Sequence, residues 1–582
     1  MSTPAMPSPK VASLAAKAQL GWLLFLPALI LGPSLLRPGY LLTFDMVWVP
    51  QLSMRPSFWG FGSGWPRAVP SDTVIGLADN VIPGMVLQRV ILYAALALAG
   101  IGIARLVRSG VGLGVLPGAA AATFYVWNPF IAERLTIGHW PVLLGYAVLP
   151  WVLQTTLEIR TGQPRWGHLS WWVWLGSLSA SAGLVTAGLA LIALWRRGRW
   201  QANLRLVVII LAANSVWIVA GLWHWGLSTD PGGFRAFAAH GEGGLPVPLA
   251  TLALGGIWNE LVVPGSRTGV MAWVSLIVLQ VPMLLALPKW WRGSEVWLRR
   301  PVLVSATISW LVAVLGGLLP TLAGQLSASV PMLGLFRDGS RYLAPLALLQ
   351  ALLLAQVMAW LIRKLDGHGA TLAIAMACLP VVMLPDLAWG AMGKLQPTNY
   401  PVSFASARQA VSKHLSDPGE KILILPFTSY RAPDWNRHWP VLDPMGRYLP
   451  QDFITNDALQ ISGKTVRGED PAVVSAIEAL AAPSPQDRAN QLADLGVVAV
   501  VRELDAGTKP ESVAGQVVWS DQSVELILLE DTDQKVTKVR SSALMPALLG
   551  AWGGFFGLLA FALSGVLFAL IKTGRRFAKS RD

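Results

Sequence analysis

Apolar runs long enough to cross a bilayer alternate with short polar connections as far as Trp389, and beyond Gly390 the pattern changes. The first run, Leu20 to Leu36, is apolar for about a full span and no small-residue cleavage site follows it, so an uncleaved first helix is expected. Further spans are expected near Pro83 to Leu106, Gly112 to Phe130, Trp140 to Leu157, Leu204 to Gly226, Val270 to Leu287, Pro301 to Leu319, Tyr342 to Ile362, Thr371 to Trp389 and Leu544 to Ile571. Leu169 to Trp195 is also continuous, but Arg160 and Arg165 precede it and Arg196, Arg197 and Arg199 follow it. Both ends therefore favour the same, cytoplasmic face. We read this run as two short helices that reverse near Ser177 to Gly183, where Ser, Ala and Gly allow a tight turn; one long crossing is the competing reading. The total is about twelve spans, the short pair included.

Between Gly390 and Arg540 charges recur and the apolar runs shorten, as in a soluble domain. Strands are expected at Lys421 to Pro426, Val497 to Arg502 and Val524 to Glu530, and helices near Phe404 to Leu415 and Pro471 to Ala481, the second capped by Asp470 with Pro471 at its first position. The expected fold is mainly α. It is a polytopic transmembrane helical bundle over 1–389, a small exoplasmic α/β domain over 390–540, and a final transmembrane helix with a basic tail over 541–582.

Charge orients this plan. Lys10 and Lys17 put the N-terminus in the cytoplasm, and Arg105, Arg108, Arg292, Arg299, Arg300, Arg363 and Lys364 then fall inside with the tail residues Lys572, Arg575, Arg576, Lys579 and Arg581. The expected location is the plasma membrane, both termini cytoplasmic and residues 390–540 outside. Composition agrees: 54% of the 582 residues are hydrophobic, 13% are charged and the mean hydropathy is +0.52, too much apolar surface for one soluble core. The formal charge of +13 does not point to nucleic acid, because Lys and Arg collect in short loops and the tail. Cys378 is the only cysteine, which excludes an intrachain disulfide and a thiolate metal site. The 28 Trp are first of all interfacial anchors, with carbohydrate stacking as the minor use.

The chain has no phosphate-cradling glycine loop, no His-Glu-x-x-His, no nucleophile elbow and no Cys/His metal spacing. Chemistry must come from polar residues at the outer face. The loop Arg37 to Pro83 carries Asp45, Asp72 and Asp79 with Trp48, Trp59 and Trp65 between them. Asp45, in Thr43-Phe44-Asp45-Met46-Val47-Trp48, lies just beyond the first span, and an ionised carboxylate there can take a proton from a hydroxyl. Arg337, Arg341 and Arg134 are candidates to grip a phosphate, since a guanidinium binds phosphate oxygens bidentately. Phe336-Arg337-Asp338-Gly339-Ser340-Arg341 opens a span from the outer side; ordinary capping by Asp338 with snorkelling arginines is its structural alternative. Glu133, His139 and Trp48 complete the candidate substrate-binding set, with no metal ligands assigned.

An Asp close behind span one, a pair of short helices in mid-bundle and a C-terminal exoplasmic domain together resemble the GT-C superfamily of membrane glycosyltransferases. Within it, Asn128-Pro129-Phe130-Ile131-Ala132-Glu133-Arg134, Gly145-Tyr146-Ala147-Val148-Leu149-Pro150-Trp151 and Phe336-Arg337-Asp338 look like the membrane region of the actinobacterial cell-wall arabinofuranosyltransferases. The resemblance covers Leu20 to Trp389. It implies a polyprenyl-phosphate sugar donor, a cell-envelope glycan or glycolipid acceptor, membrane lipid as surroundings, and Asp45 as general base. Many relatives show two adjacent acids where this chain has Asp45 alone, which counts against a bound divalent cation; no cofactor is assigned, and a divalent cation is the one option kept open. The alternatives are a transporter or flippase of lipid-linked sugars, which calls for midplane polar residues and an internal repeat that the chain does not display, and a non-catalytic envelope assembly protein.

Overall fold

The computed structural model describes residues 9–579 apart from 226, 228–229, 366–368, 418–419, 462–463, 507–509 and 531–544. Gly226, Arg540, Leu544 and Arg581, named above, lie outside the described residues. The main helices are α1 Pro9–Leu36, α2 Gly84–Arg105, α3 Val115–Val126, α4 Pro129–Thr136, α5 Trp140–Arg160, α6 Trp166–Gly176, α7 Ala180–Leu194, α8 Trp200–Trp223, α9 Val270–Gly293, α10 Val296–Leu318, α11 Ala344–Lys364, α12 Gly369–Met383 and α13 Met545–Lys579. Eight of them are long and apolar enough to cross a membrane, or nine if the bent pair Thr371–Met383 and Pro385–Gly393 is one span.

Two of the expected runs are broken, each for a local reason. Gly112 to Phe130 is not one helix: α3 ends at Val126, Asn128 is extended, and α4 begins at Pro129. Asn128 accepts from the Ile131 amide at 3.1 Å and Pro129 occupies the first helical position, so a strong start signal interrupts an apolar run. Thr371 to Trp389 bends by 68° where Pro385 follows Leu384, since the residue before a proline is disfavoured in the α region. The freed Leu384 carbonyl accepts from the Trp127 indole N–H at 2.8 Å.

The run Leu169 to Trp195 is a reversal. It breaks between α6 and α7 at residues 177–179, and a Cβ on Gly176 would sit 2.5 Å from Thr186 Oγ1, ten positions further on. At the other end Arg160, which precedes the pair, donates from Nε to the carbonyl of Ala193, which ends it, at 2.6 Å. Entrance and exit therefore lie at one level. Gly145 is required on the neighbouring helix, because a Cβ there would meet that of Ala182 at 2.5 Å.

Helices α5 and α11 are the centre of the bundle, with 83% of each apolar window buried, against 33% for α1, α9 and α13. The Asn128 and Tyr146 motifs meet there: Asn128 Nδ2 donates to the Tyr146 hydroxyl at 3.1 Å, and Tyr146 donates to the Tyr125 carbonyl at 2.7 Å.

Near the C-terminus a five-stranded sheet has the order Gln516–Ser520, Val524–Leu528, Val497–Glu503, Lys421–Leu425, Asp452–Ile454, its last two pairings parallel. The first and last of these strands are short or exposed and carry no clear period-two signal, and they are absent from the sequence expectation. Helices Val402–His414 and Pro471–Leu480 flank it, and Asp470 accepts from the Ala472 amide at 2.9 Å as a cap. The loop Arg37 to Pro83 is bound to this domain rather than free in water. Tyr40 pairs with Thr398, Arg55 is buried with Nη1 on the Gly446 carbonyl at 2.8 Å, and Asp72 holds Arg447 at 2.6 Å.

The reversal predicts a pattern of reactivity. In a Cys378→Ser background, cysteines at Gln163 and Gln201 are expected to share one accessibility to a membrane-impermeant thiol reagent in intact cells, and a cysteine at Gln486 to show the opposite one. Different labelling of Gln163→Cys and Gln201→Cys would mean that the pair is a single crossing.

Candidate active site

The turn that carries Asp45 is set by backbone contacts from two directions. Phe44 has a φ of +39°, and the Met46 amide closes the turn on the Thr43 carbonyl at 2.7 Å. From the bundle, the Asp45 amide donates to the Ile137 carbonyl at 3.1 Å. From the domain, Phe44 donates to the Pro440 carbonyl and accepts from the Leu442 amide, both at 2.8 Å. Gly138, at φ +90°, makes the approach possible: a Cβ there would run into the Met46 amide nitrogen and lie 2.8 Å from the Thr43 carbonyl oxygen.

His139 follows Gly138 and faces Asp45, Nε2 to Oδ2 at 2.9 Å. Its Nδ1 is 3.1 Å from Arg134 Nη1, and a guanidinium can only donate. This fixes the tautomer with the proton on Nε2, which donates to Asp45. Arg341 Nη2, 3.1 Å from the same Nε2, is then a neighbouring charge and not a hydrogen-bond donor. Tyr430, from the domain, donates its hydroxyl to Asp45 Oδ1.

Behind these groups is a buried ion pair. Arg134, fully buried on α4, donates Nη1 to Asp338 Oδ2 at 2.9 Å and Nη2 to the Ser340 hydroxyl, while Ser340 donates to Asp338 Oδ1 at 2.7 Å. Arg341 Nε also donates to Asp338 Oδ2, at 2.9 Å. Asp338 is therefore a hub and not a helix cap; its side chain makes no cap hydrogen bond. Gly339 lets this segment press on α10, where a Cβ would lie 2.8 Å from the Val312 carbonyl.

The charges follow from these contacts. Removal from water pushes Asp45 up, but the hydrogen bond from His139, the Tyr430 hydroxyl and the Arg341 charge together hold it below the usual carboxylate range. Burial and the Arg341 charge push His139 down to about 4, against the pull of Asp45. At neutral pH the site is a carboxylate held by a neutral imidazole and a phenol. Burial pushes Asp338 up, and Arg134 and Arg341 outweigh it and hold the group well below the carboxylate range.

The structure brings Asp45, His139, Arg134 and Arg341 together and sends the other candidates elsewhere. Arg337 pairs with Glu469 at 3.0 Å and covers the Phe237 ring at 4.5 Å, with Arg67 completing that cluster at 2.7 Å from Glu469. Glu133 points away from Asp45; burial and the Glu242 charge push it well above the carboxylate range, and Glu242 itself pairs with the buried Arg267 at 2.9 Å. Trp48 is buried against Trp140, ring centroids 5.5 Å apart, and lines a separate cleft with Asp72, Asp79 and Arg447. Asp79 is structural, accepting from the Leu52 amide at 2.5 Å. Tyr430 and Ser340 are the residues that the sequence reading misses. No motif marks Tyr430, which is 385 residues from its partner.

The donor set does not fit a divalent cation. Asp45 has one N–H and one O–H donor on its two oxygens and a guanidinium beside it, and Asp338 is taken up by two arginines and a serine. Among the described residues no three His, Cys, Asp or Glu side chains group as ligands.

Two solved structures titled arabinofuranosyltransferase AftD from Mycobacteria, one of them an R1389S mutant, match at 17% identity and TM-score 0.56, covering 90% of this chain and 40% and 42% of theirs. The chain shares the GT-C fold. It spans well under half the length of those neighbours. The oligosaccharyltransferase of Archaeoglobus fulgidus and ArnT from Cupriavidus metallidurans bound to undecaprenyl phosphate also match, at 12% and 13% identity and TM-scores 0.45 and 0.36; they cover 83% and 91% of this chain, and 68% and 99% of their own are covered. All of these neighbours are GT-C membrane glycosyltransferases. No protein-family model and no curated protein matches the sequence. With its apolar helices, the chain is a multi-pass membrane protein.

The low His139 value sets a pH dependence of stability. An unfolded His titrates near 6.5, so between about 6.5 and 4 the unfolded chain binds more protons than the folded one, and stability falls as the pH drops through that window. Thermal unfolding in detergent should show a larger loss between pH 7 and pH 5 for the wild type than for His139→Asn. Parallel curves would mean that the His139 pKa is the same in the folded and unfolded chain. Gly138→Ala is expected to displace the Asp45 turn and to lower activity at least tenfold, which an assay beside the melting curve measures.

Proposed function

We propose that this protein transfers a sugar from a polyprenyl-phosphate-linked donor to a hydroxyl of a cell-envelope glycan or glycolipid on the outer face of the membrane, with Asp45 as general base. The observation that carries the reading is Asp45 itself: a carboxylate kept ionised by two donors, 37% exposed, with Arg341 at its side and a GT-C fold around it. Asp45 takes the acceptor O–H proton as the oxygen attacks the anomeric carbon. The bond from that carbon to the phosphate oxygen breaks, and the lipid phosphate leaves with the electron pair.

A phosphate leaving group gains charge as it departs, so it needs a cation more than an acid. Arg341, 31% exposed, is the residue to supply it; Arg134 is sealed, both of its terminal nitrogens are taken by His139, Asp338 and Ser340, and it acts as the strut that aims His139 and Asp338. Arg337 lies further out in the Glu469 cluster, and Glu133 and Trp48 take structural parts. Because AftD is an arabinofuranosyltransferase, an arabinofuranosyl donor is the first to assay.

Asp45→Asn keeps the shape of the side chain and removes the base, so turnover of a polyprenyl-phosphate sugar should fall by about 10²- to 10⁴-fold with expression unchanged. Wild-type turnover by this variant would remove Asp45 from the role. Arg341→Ala should raise the donor KM by about tenfold or more and leave the acceptor KM within about threefold, as expected for a lost charged hydrogen bond. An unchanged donor KM would reassign Arg341 to holding Asp338.

A further inference from the structure

The domain reaches into the site through one side chain. Tyr430 stands on a two-residue strand, Tyr430–Arg431, paired with Val441–Leu442. Arg431 anchors it from below, buried between Asp443 at 2.7 Å and Glu503 at 3.0 Å. Its ring lies edge-on to Phe44, centroids 6.0 Å apart, and its hydroxyl donates to Asp45 Oδ1 on the solvent-facing side of the site.

The two donors on Asp45 are not equivalent. His139 is locked, because its far nitrogen accepts from the buried Arg134. Tyr430 has no second hydrogen bond among the described contacts, so its hydroxyl is held in place by Asp45 alone while its ring rests edge-on against Phe44. An O–H donor on that oxygen is also what an acceptor hydroxyl must present before it can surrender its proton.

We propose that Tyr430 holds the place of the acceptor hydroxyl on Asp45 in the resting protein and gives way to it when the acceptor binds, so that the C-terminal domain sets the acceptor affinity. This rests on the reading of Asp45 as the base. The phenol keeps the carboxylate ionised and correctly turned while the site is empty. The acceptor then exchanges one O–H···O⁻ hydrogen bond for another, and its apparent affinity is reduced by the fraction of molecules in which Tyr430 is still seated.

The test is steady-state kinetics of full-length Tyr430→Phe with a polyprenyl-phosphate arabinofuranose donor and a synthetic arabinan oligosaccharide acceptor. Loss of the competing hydrogen bond should lower the acceptor KM by about tenfold, leave the donor KM unchanged and keep kcat within about threefold. Tyr430→Leu should lower the acceptor KM in the same way, and a melting curve for each variant checks folding. An unchanged acceptor KM overturns the proposal, and so does a fall in kcat of about a hundredfold, which would make Tyr430 a proton relay. Asp45→Asn separates the two levels. If it is inactive while Tyr430→Phe matches the wild type, only the inference about Tyr430 fails; if it is active, the reading of Asp45 fails first.

Discussion

The buried pair of Arg134 and Asp338 is the contact on which the site depends. It joins α4 to the segment before α11, far apart in sequence, and places a fully buried cation against an acid that is almost as deep. Taking two such ions out of water costs several kcal/mol each, and the cost is offset only where the remaining donors and acceptors are also matched. Here they are nearly all matched: Ser340, Arg341 and His139 take up the other positions, leaving Arg134 Nε without a partner. The geometry of the site thus follows from electrostatic necessity. The groups that satisfy Asp338 and Arg134 are the ones that fix the His139 tautomer and put Arg341 beside Asp45.

Much of the bundle was legible in the sequence because hydrophobic length and the placement of Lys and Arg are strong local signals. The reversal between α6 and α7 followed from arginines at both ends of one apolar run. The breaks at Asn128 and Leu384 were harder to see, because an apolar run conceals a change of direction and only a cap or a proline betrays it. In the site, Asp45, His139, Arg134 and Arg341 were legible as polar residues at the mouth of apolar spans. Their partners were not. Asp338 looked like a cap because it precedes a helix, and Tyr430 reaches Asp45 by a fold-level contact that no spacing encodes. Glu133 lies apart for a related reason: adjacent residues on a helix point in different directions, so Glu133 and Arg134 belong to separate clusters.

The outer layer is therefore more than a lid over a membrane bundle. Loop residues Tyr40, Arg55 and Asp72 are structural elements of the domain, and Asp45 is one turn within that shared surface. Arg55 is a case in point: a buried guanidinium whose hydrogen bonds end on domain carbonyls cannot leave them without exposing an unpaired charge and three carbonyls at once.

The pairing of Phe44 with Val441 has a consequence for the order of assembly. The ribosome makes the Asp45 turn well before the strand that holds it; Tyr430 alone is 385 residues behind, and at about 5–20 residues per second the delay is tens of seconds. For that interval a tryptophan-rich loop stands beside the first helices without its partner. The Asp45 carboxylate therefore comes into register only after every helix up to α12 has been made.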